Sequence, residues 1–260
     1  MANLLAEGYR RLFKGKRFYI VMAVMAAIPV LFTLLYAASN SFMEAASRED
    51  GEAAEMLAGF KSYADDLLFS HTGVMVLLVG IAAGMLIVQD FRNNTIRNKI
   101  IVGHSRTKIY LANLIVSLTV MMIYELVYIF IALAFGGLML GFRDFPNKAI
   151  IVNMLLVLPI EIAMTSLIVF LCNSMKNVGG FVLSISMHYI VSMFSLALLL
   201  LHKHPKIMEI VKEAVPSYQM DLLGTEAIPE HWLRMMLFMF GITIISTLGG
   251  ILIFNKSDLK

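Results

Sequence analysis

Three ionisable side chains stand where a charge is costly. Glu125, Glu161 and His188 each interrupt a run of apolar residues long enough to cross a bilayer. Such a group must be paired, wet or neutral to remain there. At about 1.5 Å per helical residue, Glu161 lies roughly 16 Å and His188 roughly 12 Å from the cytoplasmic ends of their helices. That similar depth allows the two to pair. Glu125 lies roughly 24 Å along its own helix, nearer the outer half. Two roles stay open for these groups. They line a translocation path or lateral gate, or they form neutral hydrogen bonds between helices. His71 sits near the outer end of its apolar run, where an interfacial position is expected.

Several chemistries find no residues to carry them. The single cysteine, Cys172, excludes an intrachain disulfide and any multi-cysteine metal site. No Gly-x-x-x-x-Gly-Lys-Ser/Thr phosphate loop occurs: Gly15-Lys16 is followed by Arg17, and position 10 is Arg10. The chain therefore cannot hydrolyse ATP as a cassette ATPase by itself. His-Glu-x-x-His and Gly-x-Ser-x-Gly are absent as well. Ser184, Ser186 and His188 are spaced i, i+2, i+4, which does not align a nucleophile with a base. No catalytic residue and no metal ligand set is expected. Methionines recur at Met121-Met122, Met187 with Met193, and Met235-Met236 with Met239. They suit an adaptable apolar surface or ordinary apolar filling.

The elements that carry these residues are membrane helices. Hydrophobic residues make up 59% of the 260 and charged ones 15%, against about 25% charged in soluble domains. Mean hydropathy is +0.80, so lipid must cover much of the surface. Six stretches are long and apolar enough to span: about 18–38, 67–89, 109–138, 149–172, 180–201 and 233–254. They predict an all-α integral membrane fold in one transmembrane domain, residues 1–260. Pro29 and Pro159 fall mid-span and can kink their helices, and Gly249-Gly250 permits close helix approach. The first stretch is longer than a signal-peptide core and reads as a retained helix.

Charge then orients the chain. One set of loops holds Arg10, Arg11, Lys14, Lys16, Arg17, Arg92, Arg97, Lys99, Arg106, Lys108, Lys176, Lys256 and Lys260, thirteen of the 21 Lys and Arg. The opposite loops hold eight, and the first of them is acidic across Glu44–Asp66. The richer set is expected to be cytoplasmic, with both termini, in the cell membrane. Residues 2–17 form a basic amphipathic segment, with Leu5, Tyr9, Leu12 and Phe13 on one face. It predicts an interfacial helix, an anchor or a lever into the first span. Outside, residues 39–66 can form a short helix. In 202–232, Ile207, Ile210, Val211 and Val215 space a short helix that Pro216 ends.

The stretch 90–108 between the second and third spans is more than a solvated turn. Ile96, Ile100 and Ile101 supply an apolar face beside Arg92, Arg97 and Lys99. That pattern predicts a short helix parallel to the membrane, ended by Gly103, with Ser105 capping the third span.

Asp90-Phe91, Thr95-Ile96-Arg97, Gly103, Ser105-Arg106 and Ile109-Tyr110 together resemble the corresponding segment of type-2 ATP-binding-cassette exporter permeases. The resemblance is to the small members that export peptides or give immunity to bacteriocins, lantibiotics and bacitracin. Asp90 stands where Glu is usual, Asn94 where Gly is common, and Asn113 where Lys is common.

This resemblance implies that 90–108 is a coupling helix docking in a separate ATPase subunit. Arg92, Arg97, Lys99, His104 and Arg106 would form the contact, and Lys176 in the turn 173–178 a smaller one. ATP and Mg would belong to that partner chain, and this chain would bind no cofactor and be no enzyme. Two copies, or one copy and a paralogous permease, would form the pathway in the bilayer. The cargo expected is an amphipathic or antimicrobial peptide, with lipid, drug or small antibiotic as the alternative and no nucleic acid. An intramembrane hydrolase and an ATP-independent carrier are the rival readings.

Overall fold

The computed structural model describes residues 1–49, 60–193 and 205–257. Among them every regular element is helical. In chain order these are α1 (Ala2–Lys14), α2 (Lys16–Glu49), α3 (Ala64–Leu67), α4 (Thr72–Val79), α5 (Met85–Arg92), α6 (Thr95–Ile101), α7 (Arg106–Ile131), α8 (Gly137–Leu140), α9 (Lys148–Met175), α10 (Val178–Met193), α11 (Pro205–Ala214), α12 (Pro216–Leu222) and α13 (Trp232–Lys256). A π-helical turn, Gly80–Gly84, joins α4 to α5, and another, Ala132–Gly136, joins α7 to α8.

Five helices are long and apolar enough to cross a membrane: Lys16–Ser47, Gly73–Arg92, Arg106–Leu140, Lys148–Met175 and Trp232–Lys256. The fifth expected span, 180–201, is described only to Met193, as α10; its remainder lies outside the described residues. At 34 residues, α2 is about 51 Å long and outreaches any hydrocarbon core. It takes in residues 39–49 of the stretch expected to hold a separate short helix, and 50–59 of that stretch lie outside the described residues.

The second span begins later than its hydropathy suggests. Leu67 belongs to α3, and the apolar rod starts at Gly73. The reason is local hydrogen bonding around Asp65. Its Oδ2 accepts from the backbone N–H of Arg143 and of Asp144, each at 2.8 Å, while Ala64 N–H donates to Gly141 O at 3.0 Å. These bonds hold α3 against the end of α8, out of line with α4.

The core is organised around α7. Three buried tyrosines on it send their hydroxyls to backbone carbonyls of three different elements. Tyr110 donates to Ser246 O on α13 at 3.3 Å, Tyr124 to Phe18 O on α2 at 3.1 Å, and Tyr128 to Leu67 O on α3 at 2.8 Å. Each satisfies a polar group that lipid could not serve. Gly250 of α13 lies against the Tyr110 hydroxyl, where a Cβ would overlap it. This is the close approach the glycine pair predicts. The broadest helix contact joins α9 to α13, with Ser166 and Ser246 hydroxyls 2.7 Å apart inside it.

The N-terminal helix packs on α7 rather than standing apart from the bundle. Leu4 and Leu12 are its buried residues, Leu5 and Tyr9 are half-buried, and Phe13 is exposed. The expected face is thus rotated toward Leu4. Gly8 lets the helix settle onto Val116, and Tyr9 hydrogen-bonds Thr119 at 2.9 Å. Helix α11 ends before Pro216 as expected, and Pro216 begins α12.

Candidate functional site

Two polar assemblies stand out, one at an end of the bundle and one within it. The first gathers α1, α5 and α6. Asp90 is buried at the end of α5 and takes two cations. Arg11 of α1 binds its Oδ1, and Lys99 of α6 donates to its Oδ2 at 3.1 Å. Glu7 of α1 meets Lys99 at 3.2 Å and Arg11 at 3.7 Å. Two acids and two bases therefore close a charge-balanced ring that fixes α6 beneath α1. The turn into α6 passes through Asn94, with φ +55°. Its exit passes through Gly103 at φ +96°, where a side chain would be strained. Ser105 then caps α7 by accepting from Lys108 N–H at 3.4 Å.

The six cations read as a docking surface divide into different roles. Arg92 and Arg97 are exposed. Lys99 is turned inward to Asp90, and Arg106 reaches the terminal carbonyls of α13, including Asn255 O at 2.9 Å and Ser257 O at 2.6 Å. A cation there also complements the negative end of the helix. His104 is half-buried, its N–H donating to Lys99 O at 3.1 Å. Lys176 closes α9 in the left-handed conformation, φ +58°, with its N–H bonded to Cys172 O. The apolar pattern also divides. Ile96 is buried and Ile100 half-buried, but Ile101 and Val102 are 74% and 78% exposed, so Ile101 does not share the buried face expected for it.

The second assembly lies among α4, α7 and α9. His71 precedes α4, Glu125 is on α7, and Glu161 is on α9, two residues after Pro159. All three are buried. His71 Nε2 is 2.7 Å from Glu125 Oε2 and 3.7 Å from Glu161 Oε1. The imidazole stacks on Tyr128, ring centroids 4.1 Å apart, so its plane is set by a side chain that is itself anchored to α3. Glu161 has no hydrogen-bond partner on either oxygen, and His71 Nδ1 has none either.

His71 is thus buried inside the bundle, two residues before the second apolar rod begins. Its signal was the polar triplet Ser70-His71-Thr72 interrupting the apolar run. Glu161 faces His71 at 3.7 Å. His188 falls in α10, but its side chain is outside the described residues. Glu7 is the polar group that residue patterns passed over, while Asp90 entered only through the Asp90-Phe91 motif and His71 only as a residue near a span end. Asp90 was visible as a lone acid followed by cations, whereas Glu7 had no signal beyond its helix.

Residues 12–195 match the family model described as ABC-2 family transporter protein, well over half of the chain. The chain belongs to the ABC-2 transporter family. No curated protein matches it. As an ABC-2 permease it is a multi-pass membrane component of an ABC transporter, a family that is generally non-catalytic and implies an ATPase partner. The match covers the whole His71, Glu125 and Glu161 group of this ABC-2 permease, with Asp90 and Lys99 of the other assembly, while Glu7 and Arg11 lie just before it.

Proposed function

We propose that this chain is the permease subunit of an ATP-driven exporter that moves amphipathic or antimicrobial peptides out of the cell or membrane. It crosses the bilayer six times, with both termini cytoplasmic. A separate cassette ATPase supplies the energy, binding ATP and Mg itself. Two permease copies, or a permease and a paralogue, complete the pathway.

The observation that carries this reading is the tip of residues 97–102. Arg97, Ile101 and Val102 are exposed together on a short helix whose other side is tied down by Lys99 and Asp90. An exposed aliphatic pair in a basic, water-facing segment is a contact surface in search of a partner. A helix fixed through Asp90 to α1 and α5 passes a push from that partner into the bundle. The even number of crossings is supported by the two chain ends lying at the same end of the bundle, since Arg106 binds residues 254–257 and Arg11 binds Asp90. Exposed apolar side chains along α2 and α13, such as Leu35, Ile245 and Leu237, suit lipid and a second permease.

The test is copurification of this chain with a cassette ATPase from the same cell. Arg97→Glu combined with Ile101→Asp should abolish copurification while leaving the permease folded and membrane-inserted. Retained ATPase binding in that double variant would remove the docking role. Cargo class is then read from peptide-stimulated ATP hydrolysis by the reconstituted complex, across amphipathic peptides, lipids and small antibiotics.

A further inference from the structure

The buried His71–Glu125–Glu161 cluster has more acid than its surroundings satisfy. Two carboxylates and one imidazole converge from three helices, and their nearest ligand atoms all lie within 4.8 Å of one another. Side-chain exposure is 1% for His71, 4% for Glu125 and 1% for Glu161. A hydrogen bond joins His71 to Glu125, but both Glu161 oxygens are left without a hydrogen-bond partner. No Lys or Arg among the described residues forms an ion pair with either glutamate. Buried polar atoms are almost always partnered, so an occupant is required at Glu161.

We infer that this cluster is a divalent metal site of the zinc class, with His71, Glu125 and Glu161 as ligands. The chemistry matches in three respects. One imidazole nitrogen and two carboxylate oxygens are ligand types that zinc accepts, and three protein ligands leave a fourth position open. Tetrahedral bonds of about 2.0–2.2 Å set ligand atoms roughly 3.3–3.5 Å apart. The 3.7 Å between His71 and Glu161 already fits, and the 2.7 Å to Glu125 needs to open by less than an ångström. Finally, a +2 ion balances two carboxylate charges that would otherwise repel in a medium of low dielectric constant. The metal ties the start of α4 to the middles of α7 and α9, and so clamps three membrane helices at one point.

The test uses the full chain purified through a tag without histidines, in detergent, after removal of metals by chelation. Zinc is added alone, and cobalt is used in parallel for its visible absorption. One equivalent of tightly held zinc per chain is expected, with cobalt bands typical of a tetrahedral N/O site. Glu161→Gln and His71→Ala should each weaken zinc binding by more than about a hundredfold, since even outer partners of metal ligands are worth tenfold to a hundredfold. His71→Cys should keep the metal and add a thiolate-to-cobalt charge-transfer band. That gain identifies His71 as a ligand even where the alanine variant folds poorly. His231→Ala is the control, because Glu209, Glu213 and His231 form a second, more exposed cluster of ligand atoms. Absence of stoichiometric zinc and of cobalt bands in the folded wild-type chain overturns the assignment. Metal binding lost with His231→Ala but kept in Glu161→Gln overturns it as well. None of these readings involves transport, so they stand or fall separately from the export role.

Discussion

The two polar assemblies use the same residue types and come out differently. At the bundle end, Glu7 and Asp90 face Arg11 and Lys99, and each charge meets its opposite. Within the bundle, His71 is the only base paired with Glu125 and Glu161 among the described residues, and Glu161 makes no hydrogen bond. The first arrangement is complete with protein atoms alone and serves to hold helices in register. The second is incomplete without something added. A balanced network is a joint, whereas an unbalanced one in the same fold is a receptor.

The strongest way to break this contrast is at Asp90. Asp90→Ala strands Arg11 and Lys99 at a largely buried position, although Glu7 still reaches both. A loss of about 2–3 kcal/mol of folding stability is expected, read as a lowered thermal midpoint in detergent, together with loss of ATPase-subunit binding. An unchanged midpoint would mean the ring is ornamental.

The interior cluster should respond with the opposite sign. In metal-free protein, Glu161→Met removes two oxygens without hydrogen bonds at nearly constant volume. A gain of about 1–3 kcal/mol is expected. Added zinc should raise the midpoint of the wild type, because a ligand bound only by the native state stabilises it, and should leave Glu161→Met unmoved. Stabilisation of both proteins by zinc would place the metal elsewhere.

Packing that serves both assemblies can be tested at Gly250. Gly250→Val drives a side chain into the Tyr110 hydroxyl and separates α13 from α7. A loss of about 1–3 kcal/mol follows from overpacking, with Arg106 losing its carbonyls at the end of α13. The smallest effect belongs to Ser105→Ala, which removes one long capping bond to Lys108 N–H. About 0.5–1 kcal/mol is expected, and the ATPase contact should survive. A larger loss there would show that the cap, rather than the Asp90 ring, sets the orientation of α6.

Much of the scaffold was legible because lipid imposes a simple rule. Apolar runs of spanning length had to become helices, and three of the five did so within about three residues of their hydropathy limits, while the first runs on to Ser47 and the second starts only at Gly73. Where the reading slipped, hydrogen bonding outweighed hydropathy. Leu67 is apolar enough to belong to a span, but Asp65 caps two N–H groups of the neighbouring loop and pulls its segment aside. Ile101 fits the apolar face of α6 by spacing, yet α6 is only seven residues long and its last turn projects beyond the bundle.

Sequence alone determined that Glu125 and Glu161 lie deep among apolar helices, and that residues 90–108 form a basic element between spans. Periodicity and charge count carry that information, because they depend only on neighbours along the chain. Which side chain meets which was decided by tertiary structure. Helix depth measured from one end makes Glu161 and His188 equivalent partners, but it says nothing of which helix lies alongside. The placement of α4 beside α7 and α9, with Tyr128 fixing the imidazole, brings His71 to both glutamates across 54 and 90 residues of sequence. A site built from three helices exists only once they pack, and so no single stretch of the chain contains it.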